Sequence, residues 1–489
     1  MKILPDLSQL SHADKDILIA ELFSFVQSLQ STIKTLENDI RTLKDQLAKT
    51  SHNSGKPPSS DGYGKPKPKP KRLRNKTGRS SGGQLGHDGC TLAQTTTPDF
   101  IETHAVNICE HCGCDLTASP VVAHTCRQVF ESPEIALQVT EHRAEVKICP
   151  DCSQKNQAKF PVGITQPVQY GARVQALATY FSQYQLLPYQ RVQELFRDIF
   201  NAQISQGTLA NILTRAHASL EQHQENVKQH LSASAVAHFD ETGMRVNGKL
   251  YWLHIASTAE VTHYEIHEKR GGEAIDSIGI LPNFKGIAVH DHWRSYLIYD
   301  CPHALCNAHH LRELIFAEEE YQQFWAKKLS RCLTDALKEV DAAKKNGLSK
   351  LPGHRVAYFS RRYSRILREG AAELSKLGPE PNPDTQPKRG RVKQHKVTNL
   401  RERLKAYKTE TLRFIADFSV PFDNNQAERD ARMSKVKQKI SGCFRSLRGA
   451  EIFCRIRGYL SSARKQGENS LERLSALIRG EPILVIWAE

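Results

Sequence analysis

The chain lacks any apolar segment long enough to cross a membrane. Its strongest apolar run, Ile483–Ala488, has six residues, whereas a transmembrane helix needs about 20. The apolar core of a secretory signal peptide is also missing from the N-terminus. We therefore expect a cytoplasmic protein without a membrane partner.

Acidic residues are in deficit. The chain has 53 Asp and Glu against 68 Lys and Arg, which gives a net charge of +15 and a pI near 9.2. Such an excess predicts a polyanionic partner, and without a membrane segment nucleic acid is the stronger expectation. With 489 residues the chain is too long for a single hydrophobic core. A typical domain has about 150 residues, so the length predicts three or four domains.

The twelve cysteines do not indicate a disulfide framework, because disulfides are rare in the cytosol. Cys109-Glu-His-Cys112 and Cys149-Pro-Asp-Cys152 instead form two C-x-x-C knuckles, 36 residues apart, as in a zinc ribbon. Four thiolates around one tetrahedral Zn²⁺ leave no open position, so the expected role is structural. The alternating segment Ile135–Ile148 predicts strands of this small domain. Other ligand sets remain open, because three further donors lie nearby: His111, Cys114 and Cys126.

Residues 15–48 carry a heptad repeat over four heptads. One position is mostly β-branched and the other is always leucine, which favours a parallel two-stranded coiled coil and therefore a homodimer or a higher oligomer. The alternative is one long amphipathic helix packed on a core. The repeat consists of Ile19, Leu22, Val26, Leu29, Ile33, Leu36, Ile40, Leu43 and Leu47.

Residues 51–89 are rich in proline, glycine, serine and basic residues. Between 51 and 84 there are nine Lys and Arg against one Asp, so +8 of the net charge lies in this segment. A segment of this composition does not bury a core. It is either an arm that contacts DNA phosphates or a solvated spacer. The cations assigned to DNA contact are Lys65, Lys67, Lys69, Lys71, Arg72 and Arg74.

Residues 165–231 have helical periodicity. The amphipathic segment Tyr189–Phe200 is followed by a short break and by Ser205–Ala216, which begins with a serine suited to an N-cap. Helix, short turn and capped helix is the order of a helix-turn-helix that reads the major groove. An ordinary helical hairpin has the same pattern.

The pattern changes to strands at residue 235. Ala235–Val246 and Leu250–Ala256 flank Asn247-Gly248, a strong hairpin signal, and Val261–His267 follows as a third strand. The segment 272–280 resembles a short helix, and 284–290 a fourth strand. Three antiparallel strands, a helix and a fourth strand is the order of a ribonuclease-H-like fold, in which the first and fourth strands are neighbours.

Three acidic residues occur in distinctive settings. Asp240 and Asp291 follow apolar, strand-like runs, and Glu428 lies on a predicted helix rich in arginine. Carboxylate oxygens suit Mg²⁺ or Mn²⁺, and a pair of such ions about 4 Å apart promotes phosphoryl transfer. The residues alone do not exclude neighbouring carboxylates as ligands: Glu241, Asp423 and Asp430.

With these motifs, the chain resembles a DDE transposase of the insertion-sequence-66 type, in its longest, catalytic protein. The resemblance covers nearly the whole chain, from the heptads through the knuckles and the three acids. It also includes three short segments: Ser54–Asp61, Gly82–His87 and Gly458–Gly467.

The resemblance implies a multidomain α/β chain with a ribonuclease-H-like catalytic core and a large helical insertion, preceded by an N-terminal coiled coil and a small zinc-ribbon domain. The expected divisions are a coiled coil at 1–50, a basic arm at 51–100, a zinc domain at 101–160, helices at 165–231, the first part of the core at 232–306, the insertion at 307–415, the last part of the core at 416–466 and a C-terminal tail at 467–489.

The resemblance also implies roles for side chains beside the three acids. The insertion opens with Cys306, His309 and Arg312, for which we expect a structural or substrate-positioning role, since only two plausible metal ligands are local. The segment 421–465 has eleven Lys and Arg against four Asp and Glu. Its cations are expected to hold DNA phosphates, although a charged helix is usually a solvated face: Arg429, Arg432, Lys435 and Lys437.

The implied activity is strand cleavage at the ends of a bacterial insertion element and transfer of those ends into target DNA. Asp240, Asp291 and Glu428 would bind two Mg²⁺ or Mn²⁺ ions, with Zn²⁺ as a structural ion elsewhere. The implied partners are DNA, other copies of the chain and helper proteins of the element, and the implied location is the nucleoid during activity. The alternatives are a catalytically silent DNA-binding regulator and a structure-specific nuclease of the same fold.

Overall fold

The computed structural model describes residues 11–49, 53, 92–375 and 394–481. Within these ranges it contains fourteen α-helices and seven β-strands, a mixed α/β architecture. No helix in the described ranges combines the length and the apolar character that crossing a bilayer requires. The arm cations and the terminal apolar run lie outside the described residues: Lys65, Lys67, Lys69, Lys71, Arg72, Arg74 and 483–488.

The heptad segment forms one long helix, α1 (His12–Ala48). Ser11 caps it, because the Ser11 hydroxyl accepts a hydrogen bond from the Asp14 N–H at 3.2 Å. Its apolar stripe is largely exposed, with Leu29 45% and Leu36 54% accessible. The alternative of a helix packed along its length on a core therefore does not describe this chain.

Near its end, α1 touches another part of the protein. The Asp45 carboxylate accepts hydrogen bonds from the Tyr321 hydroxyl at 2.6 Å and from the Lys396 ammonium at 2.5 Å. These contacts attach the last turn of α1 and leave the exposed stripe uncovered.

The cysteine-rich region has little regular structure. Its two strands, β1 (Val146–Ile148) and β2 (Lys155–Gln157), form an antiparallel hairpin of three residue pairs. The strands expected over 135–148 form only at 146–148, where the Ala158 N–H extends the hairpin by donating to the Glu145 carbonyl at 2.9 Å. Residues 135–144 are mostly exposed and pair with no neighbouring strand among the described residues. Alternation alone was therefore not sufficient for strand formation.

Four helices precede the main sheet: α2 (Ala172–Thr179), α3 (Tyr189–Phe200), α4 (Gln206–Ser219) and α5 (Glu221–Ala233). The predicted cap of α4 is confirmed, because the Ser205 hydroxyl accepts from the Thr208 N–H at 3.0 Å. Leu209 and Ile212 of α4 pack against α3, while Leu213 and Ala216 pack against helices from the C-terminal part of the chain. A DNA-reading role for this helix pair remains a prediction.

The main sheet has five strands: β3 (Val236–Val246), β4 (Lys249–Ser257), β5 (Thr262–His267), β6 (Ile287–His290) and β7 (His303–Leu305). Their spatial order is β5-β4-β3-β6-β7. The pairs β3–β4 and β4–β5 are antiparallel, whereas β6 runs parallel to both β3 and β7. The predicted neighbourhood of the first and fourth strands is confirmed, and β7 is a strand that the sequence did not indicate.

The hairpin turn between β3 and β4 follows from its two residues. Asn247 has φ +47° and Gly248 has φ +75°, the left-handed values that a two-residue hairpin requires and that these residue types tolerate. The predicted hairpin is therefore confirmed.

Helices cover both faces of the sheet. On one face, Phe239 and Ala256 pack with α5 and with α6 (Gly272–Ile278). On the other face, Met244 and Tyr264 pack against α12 (Asn425–Ser441) and α13 (Leu447–Lys465). A final helix, α14 (Ser470–Ile478), packs on α2, so this part of the expected tail belongs to the folded body.

The helices expected over 307–415 are present in the described part of that range. It contains α7 (Asn307–Tyr321), α8 (Phe324–Lys345), α9 (Gly353–Leu374), α10 (Lys396–Ala406) and α11 (Lys408–Ala416). These helices share their own hydrophobic core, whose largest fully buried side chains include Trp325 and Tyr363. Because that core is separate from the sheet, the insertion lengthens the chain without interrupting the strands.

Gly286 marks the closest backbone approach beside the sheet. A Cβ at this position would lie 2.2 Å from the Ser234 carbonyl oxygen and 2.6 Å from the Ala235 carbonyl oxygen. The same backbone receives the Ile287 N–H, which donates to the Ala235 carbonyl at 2.8 Å. A side chain would therefore push β6 away from the start of β3.

We predict that Gly286→Ala lowers the free energy of unfolding by about 1–3 kcal/mol through overpacking. The control is Gly353→Ala, since a Cβ at Gly353 meets no atom within 4 Å. Urea unfolding followed by tryptophan fluorescence, to which Trp252 and Trp293 beside the sheet contribute, measures both variants. Equal midpoints for the two variants would contradict the proposed steric constraint.

Candidate active site

Asp240 and Asp291 lie at the same level of two adjacent parallel strands. The pairing of β3 with β6 aligns Val236 with Ile287 and His238 with Val289. Two residues after His238 and two residues after Val289, the same register reaches Asp240 and Asp291. The helix that carries Glu428 in its first turn, α12, packs against β3 and β4.

The Asp240 carboxylate lies among other acids. The Glu241 N–H donates to its Oδ1 at 2.9 Å. Burial raises the pKa of Asp240 well above its usual value, and the nearby charges of Glu241, Asp291 and Glu428 raise it further. A bound cation would relieve this repulsion, because opposite charge stabilises the ionised form.

The neighbouring Glu241 already has a cationic partner. Its Oε1 accepts from Arg270 Nε at 2.9 Å and Nη2 at 2.5 Å, and its Oε2 accepts from the Tyr296 hydroxyl. The Arg270 guanidinium lies over the Trp252 ring at 4.8 Å and the Trp293 ring at 4.3 Å. These contacts make Glu241 a structural carboxylate and favour Asp240 as the ligand for an added cation.

Asp291 lies just beyond the end of β6. The Trp293 N–H donates to its Oδ1 at 2.9 Å, which holds the carboxylate in a tight turn. The preceding side chain, His290, bonds through Nε2 to His303 Nδ1 at 3.0 Å and through Nδ1 to the Asp291 carbonyl. Asp291 is therefore positioned by its own loop and by the end of the strand.

Burial disfavours the charged form of the histidines beside the aspartates. Burial lowers the pKa of His290 and of His292 to about 3, and burial also lowers the pKa of His238. His292 Nδ1 lies 3.3 Å from His310 Nε2.

Asn424 is a positioning residue that the sequence did not single out. It is 2% exposed, and its side-chain N–H donates to the Phe239 carbonyl at 2.8 Å while its Oδ1 lies 2.8 Å from His238 Nδ1. Its backbone N–H donates to the Cys306 sulfur at 3.2 Å. Asn424 thus ties the start of α12, and with it Glu428, to the strand that carries Asp240.

Glu428 faces side chains of α7. Its Oε1 lies 3.7 Å from His309 Nδ1, and its Oε2 lies 3.8 Å from Arg312 Nη2. Burial raises the pKa of the Cys306 thiol to about 12. The structure thus brings Glu428 to the Cys-x-x-His pair, as a third possible ligand beside the two that the sequence placed together.

Among the described residues, one set of three possible metal ligands has an atom from each residue within 4.8 Å of the others: Cys306, His309 and Glu428. Asp240, Asp291 and Glu428 share one region, but their ligand atoms do not form so close a set.

The competing acids near Glu428 have other contacts. Asp430 accepts from Lys465 at 2.8 Å and thereby joins α12 to α13. Asp423 accepts from the Asn425 N–H at 3.1 Å and so shapes the turn before α12. In contrast, Glu428 Oε1 is buried without a hydrogen-bond partner. The contacts favour Glu428 as the third ligand.

The cations of α12 divide into two groups. Arg429 and Arg432 are exposed. Lys435 donates to the Gly243 carbonyl, and Lys437 donates to the Gly442 carbonyl at 3.3 Å and lies over the Phe444 ring at 3.9 Å. Burial lowers the pKa of Lys437 to about 8. Arg429 and Arg432 are therefore better placed than the two lysines to contact phosphates.

The two C-x-x-C knuckles have matching backbone turns. The Gly113 N–H donates to the Cys109 carbonyl at 2.9 Å, and the Ser153 N–H donates to the Cys149 carbonyl at 2.9 Å. Hydrogen bonds from backbone N–H groups lower the pKa of Cys109 and of Cys149. Each knuckle is shaped to present thiolates, although the four cysteines are not assembled into one close set.

A known protein family matches the region of the chain that contains the candidate site. A model described as the Transposase IS66 family matches residues 167–452, more than half of the chain. The chain belongs to the IS66 transposase family. A second model, of a family of unknown function, matches residues 2–93. No curated protein matches the chain.

Membership in this family gives the chain a transposase role, that of a nucleic-acid-processing enzyme with DNA as its partner. The matched region contains the sheet, the helical insertion and α12. It therefore includes Asp240, Asp291, Glu428 and the Cys-x-x-His pair.

Proposed function

We propose that this transposase cleaves DNA strands at the ends of its element and joins them to target DNA in a metal-dependent site formed by Asp240, Asp291 and Glu428. The observation that supports this proposal best is the parallel pairing of β3 with β6, which brings both aspartates to one level beside the helix of Glu428. The position of β3 beside β6, the first strand of the core beside the fourth, supports the proposal of a ribonuclease-H-like core.

The donor set fits hard divalent cations. All three side chains offer carboxylate oxygens, the ligands that Mg²⁺ and Mn²⁺ prefer. The raised pKa of Asp240 and the unpartnered Oε1 of Glu428 are features that a cation would satisfy. When bound, two such ions would supply Lewis-acid activation of the attacking and leaving oxygens.

The chain's own residues hold and orient the reactants. Asp240 and Asp291 are fixed by the strand ends, and Asn424 fixes the start of the helix that carries Glu428. Arg429 and Arg432 would contact phosphates near the scissile bond. Water hydrolyses the phosphodiester, and the freed 3′-hydroxyl then attacks target DNA, so no serine or tyrosine nucleophile is required.

We predict that Asp240→Asn, Asp291→Asn and Glu428→Gln each reduce strand cleavage by about 10²–10³-fold or more, because each removes a charged ligand and little volume. DNA binding is expected to persist. Cleavage and joining of labelled element ends with Mg²⁺, together with a DNA-binding assay, measure both properties.

The matched control is Asp423→Asn, because its amide oxygen still accepts from the Asn425 N–H and only the exposed hydrogen bond from the Asn425 side-chain amide is lost. It is expected to cleave at nearly the wild-type rate. Wild-type cleavage by any of the three ligand variants would show that this ligand is assigned wrongly. Cleavage without joining would instead favour a nuclease, and binding without either reaction a silent regulator.

We also propose that Cys109, Cys112, Cys149 and Cys152 bind one structural Zn²⁺. Four thiols are the donor set of a closed zinc site, and both knuckles have turns that favour the thiolate. The region around the knuckles is largely exposed and buries few hydrophobic side chains. A bound zinc ion would cross-link the two knuckles and so stabilise the region in place of a hydrophobic core.

We predict that Cys149→Ser combined with Cys152→Ser removes about one zinc per chain, because two remaining thiolates do not complete a tetrahedral site. Elemental analysis of purified protein measures the content. Cys443→Ser, at an exposed cysteine outside the knuckles, is the control. Equal zinc content in the double variant and the control would rule out this ligand set.

Dimerisation through α1 is the third part of the proposal. The heptad stripe from Ile19 to Leu47 is exposed along a single chain, whereas a partner helix would bury it. A coiled coil would hold two copies of the catalytic domain together and thereby two element ends.

We predict that Leu29→Lys combined with Leu36→Lys converts the full-length dimer to a monomer at micromolar concentration, because both charges enter the apolar seam. Ser28→Lys combined with Thr35→Lys adds the same charge one residue away, outside the seam, and should leave the dimer intact. Sedimentation measures both. Joining of paired ends should fail only in the leucine variant; an unchanged sedimentation coefficient in both would exclude the seam as the interface.

A further inference from the structure

Cys306, His309 and Glu428 converge from two helices. Cys306 directly precedes α7, His309 lies in the first turn of α7, and Glu428 lies in the first turn of α12. One ligand atom of each lies within 4.8 Å of the others. A separation of three residues places Cys306 and His309 on the same side of the helix start.

Two atoms of this cluster lack hydrogen-bond partners. His309 Nδ1 and Glu428 Oε1 are both inaccessible to solvent and unpartnered, and they lie 3.7 Å apart. Buried polar atoms are normally paired, so two orphaned atoms facing each other require an explanation. Zinc bonds of about 2.0–2.2 Å to nitrogen and oxygen separate two tetrahedral ligand atoms by about 3.4 Å. The observed separation needs a change of only a few tenths of an ångström to accept an ion.

The neighbouring groups also suit a metal ligand. The Asn424 N–H donates to the Cys306 sulfur at 3.2 Å, which orients the sulfur. Arg312 lies 3.8 Å from the other oxygen of Glu428, Oε2, and therefore leaves Oε1 directed at His309. The charge of Arg312 opposes a cation, whereas the thiolate and the carboxylate together offset it.

We propose that Cys306, His309 and Glu428 form a site for one thiophilic divalent ion, Zn²⁺ in chemical class, which differs in its donor atoms from the all-oxygen site and shares only Glu428 with it. A sulfur, an imidazole nitrogen and one carboxylate are zinc ligands and are a poor set for Mg²⁺. Three protein ligands leave a fourth position for water or a substrate oxygen. Binding displaces the thiol proton of Cys306 to solvent.

The site has one consequence that rests on the proposed function. Glu428 is shared with the proposed Mg²⁺ site, so an ion held by Cys306 and His309 takes its Oε1. Zinc would then inhibit Mg²⁺-dependent cleavage by withdrawing the third carboxylate. The cluster would make the enzyme sensitive to thiophilic metals.

Metal content tests the site without reference to activity. Full-length protein is depleted of metal, reloaded with Co²⁺ and measured by elemental analysis and by its thiolate-to-cobalt absorption. We expect Cys306→Ser and His309→Asn each to bind about one equivalent less than wild type. Cys332→Ser, at a buried cysteine of α8 outside the cluster, is the control and should bind as wild type does.

His309→Asn is the second variant because it is expected to keep the fold. The His309 side chain is 29% exposed, and its ring is not part of a hydrophobic core. Thermal melting confirms that each variant folds. Equal cobalt content in wild type, Cys306→Ser and His309→Asn would overturn the site. Loss of bound cobalt only in the variant that combines Cys149→Ser with Cys152→Ser would assign all thiolate-bound metal to the zinc domain. That result would likewise overturn the proposed site.

The inhibition arm separates this inference from the catalytic proposal. Cleavage with Mg²⁺ is measured at increasing Zn²⁺, and each protein's rate is divided by its own rate without Zn²⁺. The Zn²⁺ concentration that halves this rate should be about 10-fold higher for His309→Asn than for wild type, which corresponds to about 1.4 kcal/mol of lost binding free energy. An unchanged value would overturn the sharing of Glu428. Metal content that is normal in Asp240→Asn but reduced in Cys306→Ser would support the cluster even if the catalytic assignment failed.

Discussion

The parallel pairing of β3 with β6 is the contact on which the candidate site depends. A register shift of one residue would move Asp240 and Asp291 to different levels and reverse the side chains of one strand relative to the other. Gly286 is what permits this pairing, because the backbone of the β3 start approaches it more closely than a side chain allows. A constraint at a residue without a side chain therefore fixes two carboxylates, Asp240 five residues after Ala235 and Asp291 five residues after Gly286.

Asn424 extends the same constraint to the third carboxylate. Its hydrogen bonds to the Phe239 carbonyl and to His238 join the start of α12 to β3, and its N–H reaches the sulfur of Cys306. The insertion between Asp291 and Glu428 keeps its own core, so its length does not strain these contacts. Buried, satisfied polar groups of this kind specify one arrangement of the elements, since leaving any of them unpaired is costly.

Local sequence signals predicted the elements that depend on neighbours in the chain. Asn247-Gly248 determined the hairpin, Ser205 the start of α4, and the apolar patterns the strands and most helices. Local sequence signals did not predict the strands whose formation depends on pairing with another segment. The short strand β7 exists because β6 lies beside it, whereas residues 135–144 of the alternating segment have no neighbouring strand in the described part of the chain and form none.

The sequence by itself determined which residue types are available: a heptad helix, two cysteine knuckles, two aspartates on strand-like runs and an acid on a basic helix. Only the tertiary structure decided which of them meet. It placed Glu428 against Cys306 and His309, bound Glu241 to Arg270, and turned Lys435 and Lys437 inward while Arg429 and Arg432 stay exposed. The physical reason is that such contacts are made across the fold, between residues that are 29 positions apart for Glu241 and Arg270 and 119 positions apart for Glu428 and His309, and no local pattern encodes those distances.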